Sequence, residues 1–455
     1  MTTISFWDVT SGRTAPPRPA LAGVRDADVC VVGAGYTGLW TAYEIKRADP
    51  SQEVVVLEAR TVGFGASGRN GGWVVGELAG DRDRWAARSG RDAVVALGQA
   101  IRDTVDEVGE VVAREGIECG LRKGGSIHVA QTALELEEVR ARVAHDRAWG
   151  WSDDDNQLLD ARAAAERVAV KGVVGARYTP CCARVQPAQL VHGLAEAAER
   201  LGVTIHEQSP VTGIAPGRAT TPQGQVDARH VVRATEGYTA DLPGHHRDLL
   251  PMTSSMLVTE PLDAATWEAI RWNDAETLLD GRHRYIYAQR TVDGRIAIGG
   301  RGVPYRFGSK TDREGPVPQR TVTELRARLG QLFAPLRSVR IDAAWHGVLG
   351  VPRDWAPAVG LDRTTGLAHA GGYVGEGVAA ANLAGRTLKD LILGIDSDLT
   401  RLPWVGPFAR PWEPEPLRFA GVHAVYGLYR RADEREARTG RPSLAAKLAG
   451  IIAGR

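Results

Sequence analysis

The feature that most constrains this chain is residues 28 to 58, where two short apolar runs flank a glycine-rich turn and a helix-like segment. The turn reads Gly33-Ala34-Gly35-Tyr36-Thr37-Gly38, and the second apolar run ends at Glu58. Gly33 turns the chain sharply, Gly35 lets a pyrophosphate approach the backbone, and Gly38 lets the helix lie close to the sheet. The stretch predicts a nucleotide-binding βαβ unit with the pyrophosphate at the helix N-terminus.

Glu58 narrows the choice of nucleotide. It falls at the C-terminal end of the second strand, where a carboxylate can accept hydrogen bonds from both hydroxyls of an adenosine ribose. The same charge repels a 2′-phosphate, so NADP fits poorly. The motif alone leaves three alternatives open: NAD, FAD, or a βαβ unit that binds no nucleotide.

A second glycine-rich stretch follows Glu58 directly and is too long for a simple turn into a crossover helix. It reads Ala59-Arg60-Thr61-Val62-Gly63-Phe64-Gly65-Ala66-Ser67-Gly68-Arg69-Asn70-Gly71-Gly72-Trp73. So many small residues allow the backbone to approach a second part of a large ligand. The alternative is a flexible surface loop.

Two stretches near the other end of the chain have a similar character. In 368–386 an apolar strand enters a glycine cluster and continues as a small-residue helix, so a second helix N-terminus points past the glycines. Upstream, 345–360 begins Trp345-His346-Gly347 and ends Asp354-Trp355-Ala356-Pro357-Ala358-Val359-Gly360. NAD binding alone explains neither stretch.

Together these stretches resemble the superfamily of D-amino acid oxidase, glycine oxidase and sarcosine oxidase, and within it the gamma-glutamylputrescine oxidase branch. The run 65–72 resembles the family's flavin-contacting segment, 345–360 its active-site hairpin, and 368–386 the element whose helix dipole faces the flavin pyrimidine. The resemblance covers about residues 25 to 395. It implies an α/β fold: a Rossmann-like, glutathione-reductase-type FAD-binding domain interleaved with a mainly antiparallel α+β substrate domain.

The resemblance implies FAD as the cofactor and a set of residues that contact it. These are Gly33, Gly35, Tyr36, Thr37, Gly38, Glu58, Ala59, Arg60, Gly65, Ala66, Ser67, Arg69, Asn70, Gly71, Gly72, Val211, Ala234, Thr235, Gly372, Tyr373, Gly375, Glu376, Gly377 and Val378. The strand that ends at Thr235 departs from the family pattern, because Glu236 stands before Gly237. Gly347 replaces the cysteine that links flavin in sarcosine oxidases, and 65–72 contains no histidine, so we expect non-covalent FAD.

The reaction implied by the resemblance moves a hydride equivalent from the carbon beside nitrogen to flavin N5, giving an imine that hydrolyses to a carbonyl compound. His346 is the candidate for handling the amine proton, since its unperturbed pKa is about 6.5. Glu376 is a candidate for binding a cationic amine, with helix capping as the alternative. Tyr285 and Arg301 are further candidates; Tyr287 shares a strand face with Tyr285, but the sequence does not say which face meets the cavity.

Two more departures bear on the reaction. Ala297 stands where sarcosine-oxidase-like enzymes carry a lysine that promotes the reaction with oxygen, and Ala379 where they carry a lysine for the substrate carboxylate. The electron acceptor therefore stays open between oxygen, with hydrogen peroxide formed, and another acceptor. N-methyl glycine is a poor expectation for the substrate.

The composition agrees with a large soluble enzyme. A chain of 455 residues exceeds one simple core, and a net charge of +1 gives no field for nucleic acid or anionic lipid. Four cysteines without metal-ligand spacing predict no metal site. The N-terminus lacks a signal pattern and no run of about 18 apolar residues occurs, so we expect a cytoplasmic protein without a transmembrane segment. A homodimer is left open.

The predicted domains are discontinuous. We assign 26–80, 150–245 and 341–400 to the FAD-binding domain, 81–149 to a helical segment, 246–340 to the substrate sheet and 401–455 to a C-terminal extension with a helical tail. We expect the tail to dock on this chain or to form a dimer arm.

The predicted function is FAD-dependent oxidation of an amine or amino acid. The alternatives are a flavin dehydrogenase of a non-amine substrate, a tRNA-modifying or non-catalytic flavoprotein, and an NAD-dependent dehydrogenase.

Overall fold

Two eight-stranded sheets and a two-stranded ribbon organise the chain. The computed structural model describes residues 5–13, 16–300, 305–311 and 316–453. The strands are β1 Gly23–Val32, β2 Val54–Leu57, β3 Trp73–Val75, β4 Ser126–Ala130, β5 Gln157–Asp160, β6 Gly175–Thr179, β7 Cys182–Arg184, β8 Thr204–His206, β9 Gly213–Ala215, β10 Arg218–Thr221, β11 Gly224–Arg233, β12 Leu250–Thr259, β13 Thr277–Asp280, β14 Ile286–Arg290, β15 Ile296–Gly300, β16 Ile341–Val351, β17 Ala358–Leu361 and β18 Leu367–Gly371. The helices are α1 Phe6–Val9, α2 Tyr36–Ala48, α3 Arg82–Ser89, α4 Arg91–Glu115, α5 Ala133–Ala148, α6 Ala161–Arg167, α7 Pro187–Arg200, α8 Ala264–Ile270, α9 Gln319–Leu332, α10 Gly377–Leu393, α11 Leu417–Thr439 and α12 Leu444–Ala453.

The first sheet contains the predicted nucleotide-binding unit. Six of its strands run in the order β17-β18-β11-β1-β2-β8, and every neighbouring pair from β18 to β8 is parallel. The other two extend from β11, since β10 pairs with β11 and β9 with β10, both antiparallel. Parallel strands buried on both faces need apolar residues throughout, as β2 shows with four buried positions in a row. Helices α2 and α10 pack together closely, because a Cβ at Gly385 would meet the backbone of Trp40 at 2.8 Å. The predicted βαβ unit and the Rossmann-like sheet are confirmed.

The second sheet is the predicted substrate sheet, and it is larger than the sequence indicated. Its order is β16-β12-β15-β14-β13-β4-β6-β5, antiparallel except for the β13–β4 pair. One face packs on α8 and α9 through residues such as Leu257, Ile298 and Leu329. The other face looks toward residues 66–77, which follow the nucleotide-binding unit.

The predicted domain ranges do not coincide with the two sheets. Strands β5 and β6 fall within 150–245 and β16 opens the range 341–400, yet all three hydrogen-bond into the second sheet. Strand β4, in the segment predicted as mainly helical, pairs with β13. These four strands therefore belong to the second sheet, because each hydrogen-bonds with partner strands that lie far away in the chain.

The C-terminal extension docks on its own chain. Helices α11 and α12 share an apolar cluster with Leu250, Met252 and Val351 of the second sheet. Asp433 of α11 also accepts hydrogen bonds from the backbone N–H groups of His283 and Arg284. This is one of the two arrangements expected for the tail. Within the described ranges, no helix is both long and apolar enough to cross a membrane.

Candidate active site

The glycine turn after β1 forms a cradle that admits no side chain. Gly33 has a φ of 109°, and a Cβ there would meet the carbonyl oxygen of Ala234 at 2.6 Å. A Cβ at Gly38 would overlap the carbonyl oxygen of Gly33. At Gly35 a Cβ would meet Ser67 Oγ at 2.9 Å, and the same oxygen accepts a hydrogen bond from Tyr36 N at 2.8 Å. The first turn of α2 is thus a helix N-terminus whose glycines keep side chains away from the backbone, the kind of site that binds a pyrophosphate.

Glu58 lies at the end of β2, as the sequence predicted. Its two carboxylate oxygens accept hydrogen bonds from Ala34 N and Arg60 N, each at 2.9 Å. Burial raises the pKa of Glu58, and the nearby Glu207 adds to the rise, while the backbone N–H groups oppose it. A carboxylate has about four acceptor positions, so these donors leave room for a ribose hydroxyl. The turn and Glu58 therefore fit the adenosine half of FAD.

The stretch 59–73 is held at many points. Trp7 Nε1 donates to the carbonyl of Asn70 at 2.9 Å, and Trp345 Nε1 donates to the carbonyl of Arg69 at 3.0 Å. From β14, Gln289 Nε2 donates to the carbonyl of Gly71 at 2.7 Å. The alternative of a flexible surface loop is wrong, since both α1 and the second sheet fix the backbone of this stretch.

The late glycine turn is fixed by a partly buried carboxylate that the sequence reasoning treated only as a departure from the family pattern. Glu236 Oε1 accepts hydrogen bonds from Gly372 N at 2.9 Å and Tyr373 N at 3.0 Å, and Oε2 accepts one from Gly350 N at 2.5 Å. Burial raises the pKa of Glu236, and these N–H donors oppose the rise. The side chain therefore ties together the ends of β11, β16 and β18.

The two glycine turns lie side by side. Thr37 Oγ1, in the first turn of α2, is 3.1 Å from Tyr373 Oη in the late turn. Both residues belong to the predicted cofactor contacts, and the structure brings them together from opposite ends of the chain. The N-termini of α2 and α10 therefore lie close to each other in the molecule.

A row of residues across the second sheet faces this region. Tyr287 pairs with Leu279, Leu279 with His128, and His128 with Arg177, so all four side chains lie on one face. Tyr287 packs edge-on against Trp73 with ring centroids 6.2 Å apart. A Cβ at Gly71 would meet the Tyr287 ring at 2.8 Å. Tyr287 thus marks where the sheet meets the predicted flavin-contacting stretch.

The predicted catalytic residues occupy different surroundings. Tyr285 lies two residues before Tyr287, whose Oη is 2.8 Å from Ser254 Oγ. His346 pairs with Ser255 on β12, and alternation places its side chain on the opposite face from its neighbours Trp345 and Gly347, which contact residues 66–70. Burial lowers the pKa of His346, and Arg69 and Arg306 lower it further. The register does not favour the predicted role of His346, and Arg301 lies outside the described residues.

Glu376 stands at the N-cap position of α10, but in the described structure its side chain makes no capping hydrogen bond. The capping alternative is therefore wrong. Its charge instead interacts with Arg142 of α5, whose pKa it helps to raise. Glu376 thus faces a group of charged residues beside the second sheet.

This group was not foreseen from the sequence. Glu77 pairs with Arg177 at 2.8 Å and with Arg142 at 3.0 Å, and Asp146 pairs with Arg82 at 2.8 Å. Burial alone would raise the pKa of Glu77, but Arg177 and Arg142 outweigh it and hold the pKa at about 2. These residues come from four separate elements, so no local pattern connects them.

Two observations concern metals and covalent attachment. Within the described ranges, no group of three or more His, Cys, Asp or Glu side chains could hold a metal ion. All four cysteines are free thiols, and burial raises the pKa of Cys30 and of Cys182 to about 12. A Cβ at Gly347 would meet Arg69 Cβ at 3.3 Å, so this position lies against the flavin-contacting stretch without a nucleophile.

Comparison with known proteins agrees with this geometry. The family model for the FAD-dependent oxidoreductases called DAO matches residues 28–391. Gamma-glutamylputrescine oxidoreductase of Escherichia coli is 31% identical over 403 residues, covering 86% of this chain and 89% of its own length. A probable oxidoreductase, OrdL, of Haemophilus influenzae is 29% identical over 392 residues, covering 84% and 86%. The crystal structure of glycine oxidase from Geobacillus kaustophilus superposes with a TM-score of 0.66 at 23% identity, covering 82% of this chain and 96% of that one.

Proposed function

This chain belongs to the family of FAD-dependent oxidoreductases, and we propose that it oxidises the C–N bond of an amine or amino acid bound between the second sheet and residues 71–77. The observation that carries the proposal is the position of Tyr287, which joins the sheet to Gly71 of the flavin-contacting stretch. Two similar proteins support this substrate class, because their names refer to an amine, gamma-glutamylputrescine, and to an amino acid, glycine.

The α2 turn and Glu58 would hold the adenosine half of FAD, and residues 65–72 and the late turn 372–378 would hold the flavin half. The side-chain-free cradle at Gly35 and Gly38 supports the first contact, and the positive dipole end of α10 supports the second. When bound, FAD supplies the two-electron acceptor for the C–H bond next to nitrogen. We expect the attachment to be non-covalent.

The substrate is held by the residues that face the bound flavin. Tyr287, whose Oη is held by Ser254, contacts the substrate and positions the carbon beside its nitrogen. Trp73 packs against Tyr287 from the opposite wall and excludes water. The carboxylate of Glu376 attracts the ammonium form of the amine as it binds. The nitrogen then releases its proton to solvent before hydride transfer, because only the neutral amine has the lone pair that forms the imine. Tyr285 is proposed to line the same wall as Tyr287.

The electron acceptor is proposed to be oxygen or a second redox partner. One observation favours a dehydrogenase that uses a partner other than oxygen. Ala297, at the position where some relatives carry a lysine for oxygen, is fully buried and packs in an apolar cluster with Met256 and Trp345. An alanine at this position supplies no cation of its own for the reaction with oxygen.

The test is anaerobic mixing of the purified holoprotein with a panel of primary, secondary and dibasic amines and amino acids. Bleaching of the flavin absorbance by at least one class supports the proposal, and no bleaching by any of them refutes it. Admitting oxygen afterwards separates the acceptors, since an oxidase regains its absorbance quickly and forms hydrogen peroxide.

Two variants test the proposed roles of Glu376 and His346. We expect Glu376→Gln to raise the saturation constant for amines by roughly tenfold to a hundredfold, the usual coupling of a partly desolvated charge pair. The matched control is Glu260→Gln, which removes a carboxylate on the outer part of the second sheet. His346→Ala tests the remaining candidate: a slower limiting rate with a lost ionisation supports a role for His346, and a wild-type profile removes it.

A further inference from the structure

The second sheet is closed on one face and only partly covered on the other. Leu278, Ile127 and Ile298, on the face that packs on α8 and α9, are all 0% exposed. Leu279 and His128 lie on the opposite face of the same inner strands, yet both are partly exposed. Interior strands with exposed side chains on one face must border an open space.

The opposite wall shows the same alternation. Trp73, Val75 and Glu77 are partly exposed, while Val74 and Gly76 between them are buried. Trp73 packs against Tyr287 and Glu77 against Arg177, so these three side chains face the row across the sheet. The space between residues 73–77 and the second sheet is therefore a narrow cleft, bridged by the Trp73–Tyr287 and Glu77–Arg177 contacts.

The cleft has a near end and a far end. Its near end is at Tyr287, which meets Gly71 of the flavin-contacting stretch. His128 is two strands further on, across β13 and β4. Since neighbouring strands lie about 4.8 Å apart, the two residues are separated by roughly 10 Å. A substrate oxidised at the near end reaches His128 only if it is elongated.

The far end offers a neutral hydrogen-bonding group. Among the described residues, His128 Nε2 is buried and has no hydrogen-bond partner, although an unsatisfied buried nitrogen is costly. Burial lowers the pKa of His128 to about 4; Arg177 and Arg142 lower it as well, while Asp280 and Glu77 oppose them. The imidazole is therefore uncharged at neutral pH.

The neighbouring charges are already paired. Arg177 and Arg142 are bound by Glu77, and Asp146 contacts both arginines at 3.2 Å. A charged group entering the far end would have to displace one of these ion pairs, whereas an uncharged group would not. A neutral imidazole can donate or accept, so it complements an amide or a hydroxyl.

We infer that His128 forms a specificity subsite which hydrogen-bonds an uncharged polar group, an amide or a hydroxyl, about 10 Å from the carbon that is oxidised. The inference rests on the proposed function, since it takes the near end as the place of reaction. It adds a preference for substrate length and for the chemistry of the far terminus.

The test compares amines of equal length that differ only at the far terminus. An extended eight-carbon chain spans roughly the same 10 Å, so the series is octylamine, 8-aminooctanamide, 8-aminooctanoate and 1,8-diaminooctane. Saturation constants for anaerobic flavin reduction are measured with the holoprotein. Binding of octanamide, which has no amine to oxidise, is measured separately by calorimetry.

In the wild-type protein we expect 8-aminooctanamide to saturate at about three- to tenfold lower concentration than octylamine, the value of one net hydrogen bond. His128→Phe should remove this preference and weaken octanamide binding by the same factor, and His128→Gln should retain part of both. The control is His145→Phe on α5, where the side chain is exposed. FAD content is checked for each variant.

Three results would overturn the inference: equal saturation by the amide and the alkyl amine in the wild-type protein, a preference for the amide that survives in His128→Phe, or a His128-dependent preference for the carboxylate or the diamine. If no amine reduces the flavin, the proposed function fails instead. The octanamide measurement still tests the subsite in that case.

Discussion

Replacing Glu236 by glutamine tests whether a single carboxylate sets the late glycine turn. The hydrogen bonds to its two oxygens come from backbone N–H donors, those of Gly372, Tyr373 and Gly350. In Glu236→Gln, the amide oxygen can still accept the hydrogen bonds from Gly372 N and Tyr373 N. The amide NH2, however, would then face the N–H of Gly350, donor against donor.

The cost follows from that geometry. A hydrogen bond to a charged acceptor contributes about 1.5–3 kcal/mol, and here one is replaced by an unsatisfied donor. We therefore expect the turn to lose about 2–3 kcal/mol in Glu236→Gln. Because the proposed flavin contacts include this turn, the loss should appear as FAD binding weakened by roughly 30- to 100-fold, at 1.4 kcal/mol per factor of ten.

The assay is a titration of apoprotein with FAD, followed by quenching of flavin fluorescence. Glu260→Gln is the control, since it removes an exposed carboxylate that pairs with Arg340. A thermal melt of each apoprotein separates lost affinity from global unfolding. If Glu236→Gln bound FAD within twofold of the wild-type protein, the carboxylate would not be what positions the turn.

Three further predictions concern the cofactor and acid stability. Gly35→Val should abolish FAD retention, because its Cβ would already press on Ser67 Oγ; full flavin occupancy in the purified variant would contradict this. Heat or acid precipitation should release all FAD into the supernatant, and a yellow washed pellet would show a covalent link. Burial and Arg233 lower the pKa of His369 to about 4 from 6.5, so the unfolded state takes up a proton first and stability falls as the pH drops from 6.5 toward 4. His369→Gln should remove up to roughly 2 kcal/mol of the stability lost between pH 7 and pH 5, as measured by denaturant unfolding.

The nucleotide-binding unit could be predicted because its determinants are local and steric. Gly33 and Gly38 lie five residues apart, and contact between their own backbones already requires glycine at the second position. Glu58 is fixed to the same turn through Ala34 N. Because these contacts join residues that are close in the chain, a short stretch of sequence is enough to predict the structure of this unit.

The composition of the second sheet could not be predicted in this way. Strand β4 pairs with β13, which joins Ile127 to Leu278 across about 150 residues of chain. The face of each side chain then depends on register, and a shift of one residue moves every side chain to the other face. The sequence therefore could not show that Tyr287, Leu279, His128 and Arg177 share one face.

Glu236 shows a third kind of difficulty. The sequence marked it as a departure from the family pattern, but its partners lie 114 to 137 residues away in two other strands or turns. A partly buried carboxylate that binds only backbone N–H groups leaves no complementary side chain to search for. Its role becomes visible only when the donors are located in space.

The position of β1 in the middle of the first sheet has a consequence for synthesis of the protein. Its two neighbours are β2, which follows at once, and β11, which begins at Gly224. At 5–20 residues per second, a ribosome makes the intervening chain in roughly 10–35 s. During that time β1 and β2 present an apolar parallel pair with an open edge, the kind of surface that associates with other nascent chains. We therefore expect this protein to depend on a chaperone that shelters its first sixty residues until the second half of the sheet leaves the ribosome.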